Sequence, residues 1–206
     1  MMGTWEDREK DLLRRRSAEA ERDFRSSVRP MYRNSDVHPL PEHIGSSVLL
    51  NVEGLPVLVT AAHVLDNLRQ GYSLYVGGAG NGPAVLIRGG ALGATPKPGG
   101  DRRLDHFDSG FWRLPKEAVR ELGAVEFLDA SRLSDNGADV DRHYYMAMGY
   151  RLAANKSAVD PREKTISSRP SRYSGSVVQI PELAEKLGVS GAEHMFLSFP
   201  KYAQDE

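Results

Sequence analysis

A mainly β protein with one N-terminal α-helix is the fold class this sequence predicts. Three features predict it. Glycine (20) and proline (12) cut the 206 residues into many short pieces. Between the breakers lie short runs rich in Val, Leu, Ile, Tyr and Phe, of strand length rather than helix length. Only residues 4–28 hold helical spacing over several turns.

That first stretch opens on Thr4 and Asp7, a capping-box-like start. Acids crowd its first turns and Arg14, Arg15 and Arg16 follow. Leu13, Ala20 and Phe24 fall on one face, with Trp5 and Leu12 nearby. Pro30 is expected to end the helix, and residues 31–42, with Pro39 and Pro41, read as an extended connector. Two apolar strands come next, 45–50 and 55–59, joined by a tight turn at residues 51–54. The second runs into Thr60-Ala61-Ala62-His63, and residues 64–69 suit a short helical turn. Strands are expected at 72–76 and 84–87, with a hairpin end at 77–82 and a loose loop at 89–100. Another strand follows Asp108 through Leu114. Residues 115–123 read as a helical connector with Gly123 near its end. Strands follow at 124–128 and 144–150, a polar β-compatible arm at 164–176, a helix at 180–187 closed by Gly188, and a last strand at 194–199. Three regions result: 1–43, 44–116 and 117–206.

Composition narrows the function classes. Net charge is −1 and the isoelectric point is near 6.6, so nothing calls for a nucleic-acid partner. The three arginines are flanked by acids and read as a solvated face. No apolar run approaches membrane-spanning length, and the charged N-terminus shows no secretory signal. Cysteine is absent, which fits a reducing interior such as a bacterial cytoplasm and removes thiol nucleophiles and thiolate metal sites. The Gly-rich loop at 77–82 carries no phosphate-binding pattern. No cofactor is expected.

The chemistry concentrates at His63. A catalytic imidazole must be held at one angle, so it suits the end of a rigid strand, and small residues before it leave room for a third group behind the ring. Gly45-Ser46-Ser47-Val48-Leu49-Leu50, a hairpin, then Val59-Thr60-Ala61-Ala62-His63-Val64-Leu65 resembles the histidine segment of the trypsin-like (chymotrypsin-fold) serine peptidases. Leu104-Asp105-His106-Phe107-Asp108-Ser109-Gly110-Phe111-Trp112-Arg113-Leu114 resembles the aspartate segment of that family. It departs from the family at Ser109-Gly110, where an apolar residue and Ala are common. Asp105 is a rival three residues earlier, but strand register favours Asp108. The strand end at Gly149-Tyr150 resembles one in the family's second barrel. The resemblance implies a chymotrypsin-like double β-barrel. Residues 44–116 would form the first barrel, and 117–206 an incomplete second one. It also implies that His63 is the general base and that Asp108 orients it.

The family's third residue is a serine in Gly-x-Ser-Gly-Gly or Gly-x-Ser-Gly-Ala. Gly188-Val189-Ser190-Gly191-Ala192 matches literally, yet Gly188 sits where a helix cap is expected and too few residues follow Ser190 for the remaining strands. Ser174 and Ser176 fit less well. The expectation is therefore a trypsin-like serine endopeptidase domain, acting on a protein or peptide substrate, that stops before its nucleophile. By itself it would be inactive, and a partner or a missing C-terminal segment would complete its second barrel. The alternative is a catalytically inactive pseudoprotease serving as a protein-interaction module. A third reading, a metal hydrolase using His63, His106 and Asp108, has no His-Glu-x-x-His or comparable cluster behind it. His38, His43, His143 and His194 read as structural.

Overall fold

The computed structural model describes residues 5–35, 37, 40–78, 82–133, 144–155, 159–160, 165–166, 168–178, 180–189 and 196–197. In chain order the elements are α1 (Trp5–Phe24), β1 (Val28–Asn34), β2 (Glu42–Val52), β3 (Leu55–Ala61), α2 (Ala62–Arg69), β4 (Ser73–Gly77), β5 (Ala84–Leu86), β6 (Ala91–Ala94), β7 (Ser109–Arg113), α3 (Lys116–Leu122), β8 (Leu128–Asp129), β9 (Tyr144–Gly149), α4 (Leu152–Asn155), β10 (Val159–Asp160), β11 (Thr165–Ile166), β12 (Ser171–Val178), α5 (Pro181–Leu187) and β13 (Phe196–Leu197). The protein is mainly β, as expected. The chain divides into two compact units, residues 26–136 with 149–171, and residues 1–25, 137–148 and 172–206.

The larger unit is built on one sheet in the order β5-β4-β1-β2-β3-β7-β6, antiparallel along this path, with the short β8 added parallel to β2. Its two end strands, β5 and β6, are neighbours in the chain, yet no ladder joins them among the described residues. The sheet is therefore open in its hydrogen bonding. The β2–β3 hairpin closes through Glu53 and Gly54, both at positive φ (51° and 83°), between the paired Val52 and Leu55. Two consecutive positive-φ residues make the turn whose twist matches that of the strands, and glycine takes the second position without penalty. Met31, Leu49, Leu58, Leu74 and Trp112 meet beneath the sheet, and Val64 and Leu65 of α2 and Leu122 of α3 pack against them. Alternation decides the inward set: in β7, Gly110 and Trp112 are buried while Ser109, Phe111 and Arg113 are exposed.

Three expectations change here. The strand expected at 124–128 is absent at 124–127, and only Leu128 joins one, the two-residue β8. The first helix ends at Phe24, not at Pro30, and residues 28–34 of the presumed helix end and connector form a sheet strand. Pro30 pairs with Ser46 of β2, while β1 pairs with β4 only from Met31 onward. A residue lacking an N–H is tolerated on such a half-paired edge. The bare Gly77 also makes room, since a Cβ there would lie 2.7 Å from Pro30 Cγ. The loop at 89–100 also holds a strand, β6, paired with β7 from Ala91↔Arg113 to Ala94↔Gly110. Its Ala-Leu-Gly-Ala composition has weak strand preference, and the neighbouring strand supplies the order.

In the smaller unit α1 presents Leu13, Ser17, Ala20, Glu21 and Phe24 as its half-buried stripe. Ser17 Oγ lies 3.3 Å from Ser174 Oγ of β12, and Arg172 pairs with Glu21. β9, β12 and β13 form a three-stranded sheet. α5 ends at Gly188, left-handed at φ 66° and ψ 30°, whose N–H bonds back to Ala184 and Glu185. Among the described residues no helix is long and apolar enough to cross a membrane.

Candidate active site

β3 delivers the chain from the buried Leu58 and Thr60 directly into α2, with no linker between Ala61 and Ala62. Residues with small side chains make the junction possible. Ala62 is fully buried, and a Cβ on Gly45 would lie 2.9 Å from Val64 Cγ2, so the glycine of the Gly45-Ser46-Ser47 segment seats the helix against β2. The two serines are structural as well. Ser47 Oγ donates to the Arg29 carbonyl at 3.2 Å, and Ser46 Oγ accepts the Tyr150 N–H at 2.6 Å. The Gly149-Tyr150 segment thus docks onto β2.

Ala61, the N-cap position of α2, supplies no side-chain cap. Asp108 does the capping from the start of β7. Its carbonyl accepts the Ala62 N–H at 2.8 Å and its Oδ1 accepts the His63 N–H at 2.9 Å. These are two of the first-turn donors that a helix leaves unpaired, and a carboxylate beside them also meets the positive end of the helix. The other carboxylate oxygen, Oδ2, lies 2.5 Å from His63 Nδ1. A carboxylate only accepts, so the contact holds the ring proton on Nδ1 and leaves Nε2 as the basic nitrogen. The His63 side chain is 57% exposed and that of Asp108 is 33% exposed. The imidazole is thus held from behind and open on its other side.

Asp108 has φ 40°, one of two non-glycine residues at positive φ among those described. Next to it Gly110 lies under α2, where a Cβ would approach Leu65 Cδ1 to 2.6 Å.

The structure brings together His63 and Asp108 and keeps their rivals apart. Asp105 points to Thr95 and Arg102 instead. His106 joins no group of three metal-ligating side chains, and none exists among the described residues. His43 is buried, 4% exposed, with neither ring nitrogen hydrogen-bonded. Its ring meets Tyr32 edge-on at 5.7 Å and lies 6.5 Å from Tyr150. Burial holds its pKa below the usual histidine value and pushes the Tyr32 phenol up to about 12. Ser174 contacts Ser17, as above. Ser190, His38, His143 and His194 lie outside the described residues.

Asp66, Lys97 and Arg102 form an ion cluster on the helix that carries His63 and the loop before β7, and no local sequence pattern marks it. Asp66 stands one helical turn after His63, and Arg102 stands three residues before Asp105. Only the second is a spacing at which charges meet locally, and the link between helix α2 and the loop that carries Arg102 is tertiary.

No family model matches the chain, and no curated protein matches it.

Proposed function

We propose that the chain is a trypsin-like serine peptidase domain in which His63 is the general base and Asp108 orients it. One observation carries the reading: the Asp108 carboxylate engages both the ring Nδ1 and the backbone N–H of the same histidine. Two contacts to one residue fix the tautomer and the ring angle together. In the reaction, Nε2 of His63 takes the proton of a serine hydroxyl as its oxygen attacks the peptide carbonyl carbon. The same proton then goes to the leaving amine, and water repeats the cycle on the acyl-enzyme. Asp108 stabilises the imidazolium between these steps.

Strand order supports the same reading. β5 and β6 sit at opposite ends of the sheet order but are separated by only residues 87–90. Read as one interrupted strand, they return the chain to both edges, which is the way a sheet becomes a barrel. On this reading the larger unit is the first barrel, the three-stranded sheet belongs to the second, and the substrate is a protein or peptide. The absence of cysteine supports a cytoplasmic, bacterial setting.

A second reading, an inactive pseudoprotease acting as an interaction module, is favoured by Gly188. That glycine is accounted for as the cap of α5, so it lends no weight to Ser190 as a nucleophile in an oxyanion-binding loop. Labelling with a fluorophosphonate separates the two. Labelling of one serine that is lost in His63→Ala shows a nucleophile within these residues and establishes the peptidase reading, and Ser190→Ala tells whether it is Ser190. No His63-dependent labelling leaves either a domain whose nucleophile lies outside these residues or the interaction module, and of the two only the former gains labelling when a C-terminal segment carrying Gly-x-Ser-Gly-Gly is supplied.

A further inference from the structure

We infer that Asp66, Arg102 and Asp105 form a positioning network that locks Asp108 onto His63; the inference rests on the reading of that pair given above. Arg102 sits in the loop between β6 and β7 and forks two ways. Its Nε and Nη2 reach the Asp66 carboxylate at 3.0 and 3.3 Å. Its Nη1 reaches Asp105 Oδ2 at 2.5 Å and the Thr95 carbonyl at 2.7 Å. Asp66 belongs to α2, the helix that carries His63. Asp105 in turn accepts the Phe107 N–H at 3.2 Å and the Thr95 hydroxyl, and the Thr95 oxygen accepts the Ser109 N–H at 3.1 Å, so the residues on both sides of Asp108 are held. One guanidinium therefore ties the helix of the base to the turn of the carboxylate.

The network is nearly dry. The side chains of Arg102, Asp66 and Asp105 are 13%, 9% and 4% exposed. Lys97, 2.9 Å from Asp66, and the exposed Arg69, 3.8 Å from it, bring the cluster to three cations and two anions. Burial opposes charge on Asp66, but the Arg102 and Lys97 hydrogen bonds outweigh it and hold its carboxyl below the usual range. The Thr95 hydroxyl leads the contacts that do the same for Asp105. Desolvating charges gives little net stability even when they are paired, and what such a network secures is a single arrangement. Asp108 needs one, because its left-handed φ is unfavourable for a residue with a Cβ and persists only where the surroundings over-determine it. Asp105 holds the backbone on either side of Asp108, at Phe107 directly and at Ser109 through Thr95, and Arg102 fixes Asp105.

The experiment reads the His63 ring tautomer by ¹⁵N NMR of the 206-residue chain at a pH where the ring is neutral. Backbone amide dispersion is recorded alongside as the check on folding. In Arg102→Gln and Asp105→Ala, the ratio of the Nε2–H to the Nδ1–H form is expected to rise about tenfold, the equivalent of one charged hydrogen bond lost. Asp105→Asn keeps one acceptor oxygen for the Phe107 N–H and is expected to fall between Asp105→Ala and the parent. A merely structural network would shift stability without moving this ratio. If Arg102→Gln fails to fold, the Asp105→Asn and Asp105→Ala pair decides. An unchanged ratio in the folded variants, with Asp108→Asn still changing it, overturns the network and leaves the pair. A ratio indifferent to Asp108→Asn overturns both.

Discussion

Asp108 holds His63 at two points, its Oδ2 2.5 Å from the ring Nδ1 and its Oδ1 2.9 Å from the backbone nitrogen. The second contact makes the carboxylate a helix cap as well as a ring partner, so His63 and Asp108 are parts of one backbone junction. Asp108 makes both contacts from a backbone at positive φ, 40°.

That backbone conformation can be tested by stability. A residue with a Cβ costs about 1–2 kcal/mol in the left-handed region, and glycine escapes the cost. Asp108→Ala and Asp108→Gly lose the same carboxylate contacts. The glycine variant is expected to be the more stable by about 1 kcal/mol in urea unfolding. Equal stability would mean that Asp108 carries no such strain.

His43 sets a pH dependence. In the unfolded chain it titrates near 6.5, and in the folded protein burial lowers its pKa. Above the unfolded value both states hold it neutral and it adds no slope. As pH falls below that value, the unfolded state takes up a proton that the folded state resists, so stability drops by up to about 1.4 kcal/mol per pH unit until the folded value is reached. His43→Phe fills the space between Tyr32 and Tyr150 without two unpartnered nitrogens. It is expected to flatten the fall in urea midpoint between pH 7 and 5 and to raise stability at the acid end. An unchanged slope would place its origin in another group.

Two glycines in β6 and β7 should respond differently to a methyl group. At Gly110 the new Cβ would meet Leu65 Cδ1 at 2.6 Å inside the core, below the helix that carries His63. At Gly93 it would meet the Phe111 ring at 2.6 Å, but that ring is half exposed and can swing away. Gly110→Ala is expected to cost about 1–3 kcal/mol and Gly93→Ala less than about 1 kcal/mol. Thermal unfolding compares them directly, and the reverse order would contradict the packing described.

Much of this was legible because local chemistry decides it. The Glu53-Gly54 turn, the His63 strand end, the α3 connector and the Gly188 cap each rest on a few adjacent residues whose preferences agree with the fold. Strand register and the resemblance of 104–114 favour Asp108 over Asp105, and it is Asp108 that contacts His63. β1 was missed because Pro30 reads as a terminator, and only pairing with β2 and β4 makes it a strand. β6 was missed because Ala91-Leu92-Gly93-Ala94 has no β-branched residue, and pairing with β7 orders it. The Asp66, Arg102 and Asp105 cluster joins a helix to a distant loop, and no local pattern announces such a contact.

The most direct measurement of the central claim is the ¹⁵N NMR spectrum of the His63 ring, recorded on the parent chain and on Asp108→Asn. The parent is expected to carry its proton on Nδ1, directed at Asp108 Oδ2. Asparagine can present an N–H there instead, and the variant is expected to carry the proton on Nε2, which turns the basic nitrogen toward residue 108. A parent ring protonated on Nε2, or one that ignores the substitution, would contradict the account.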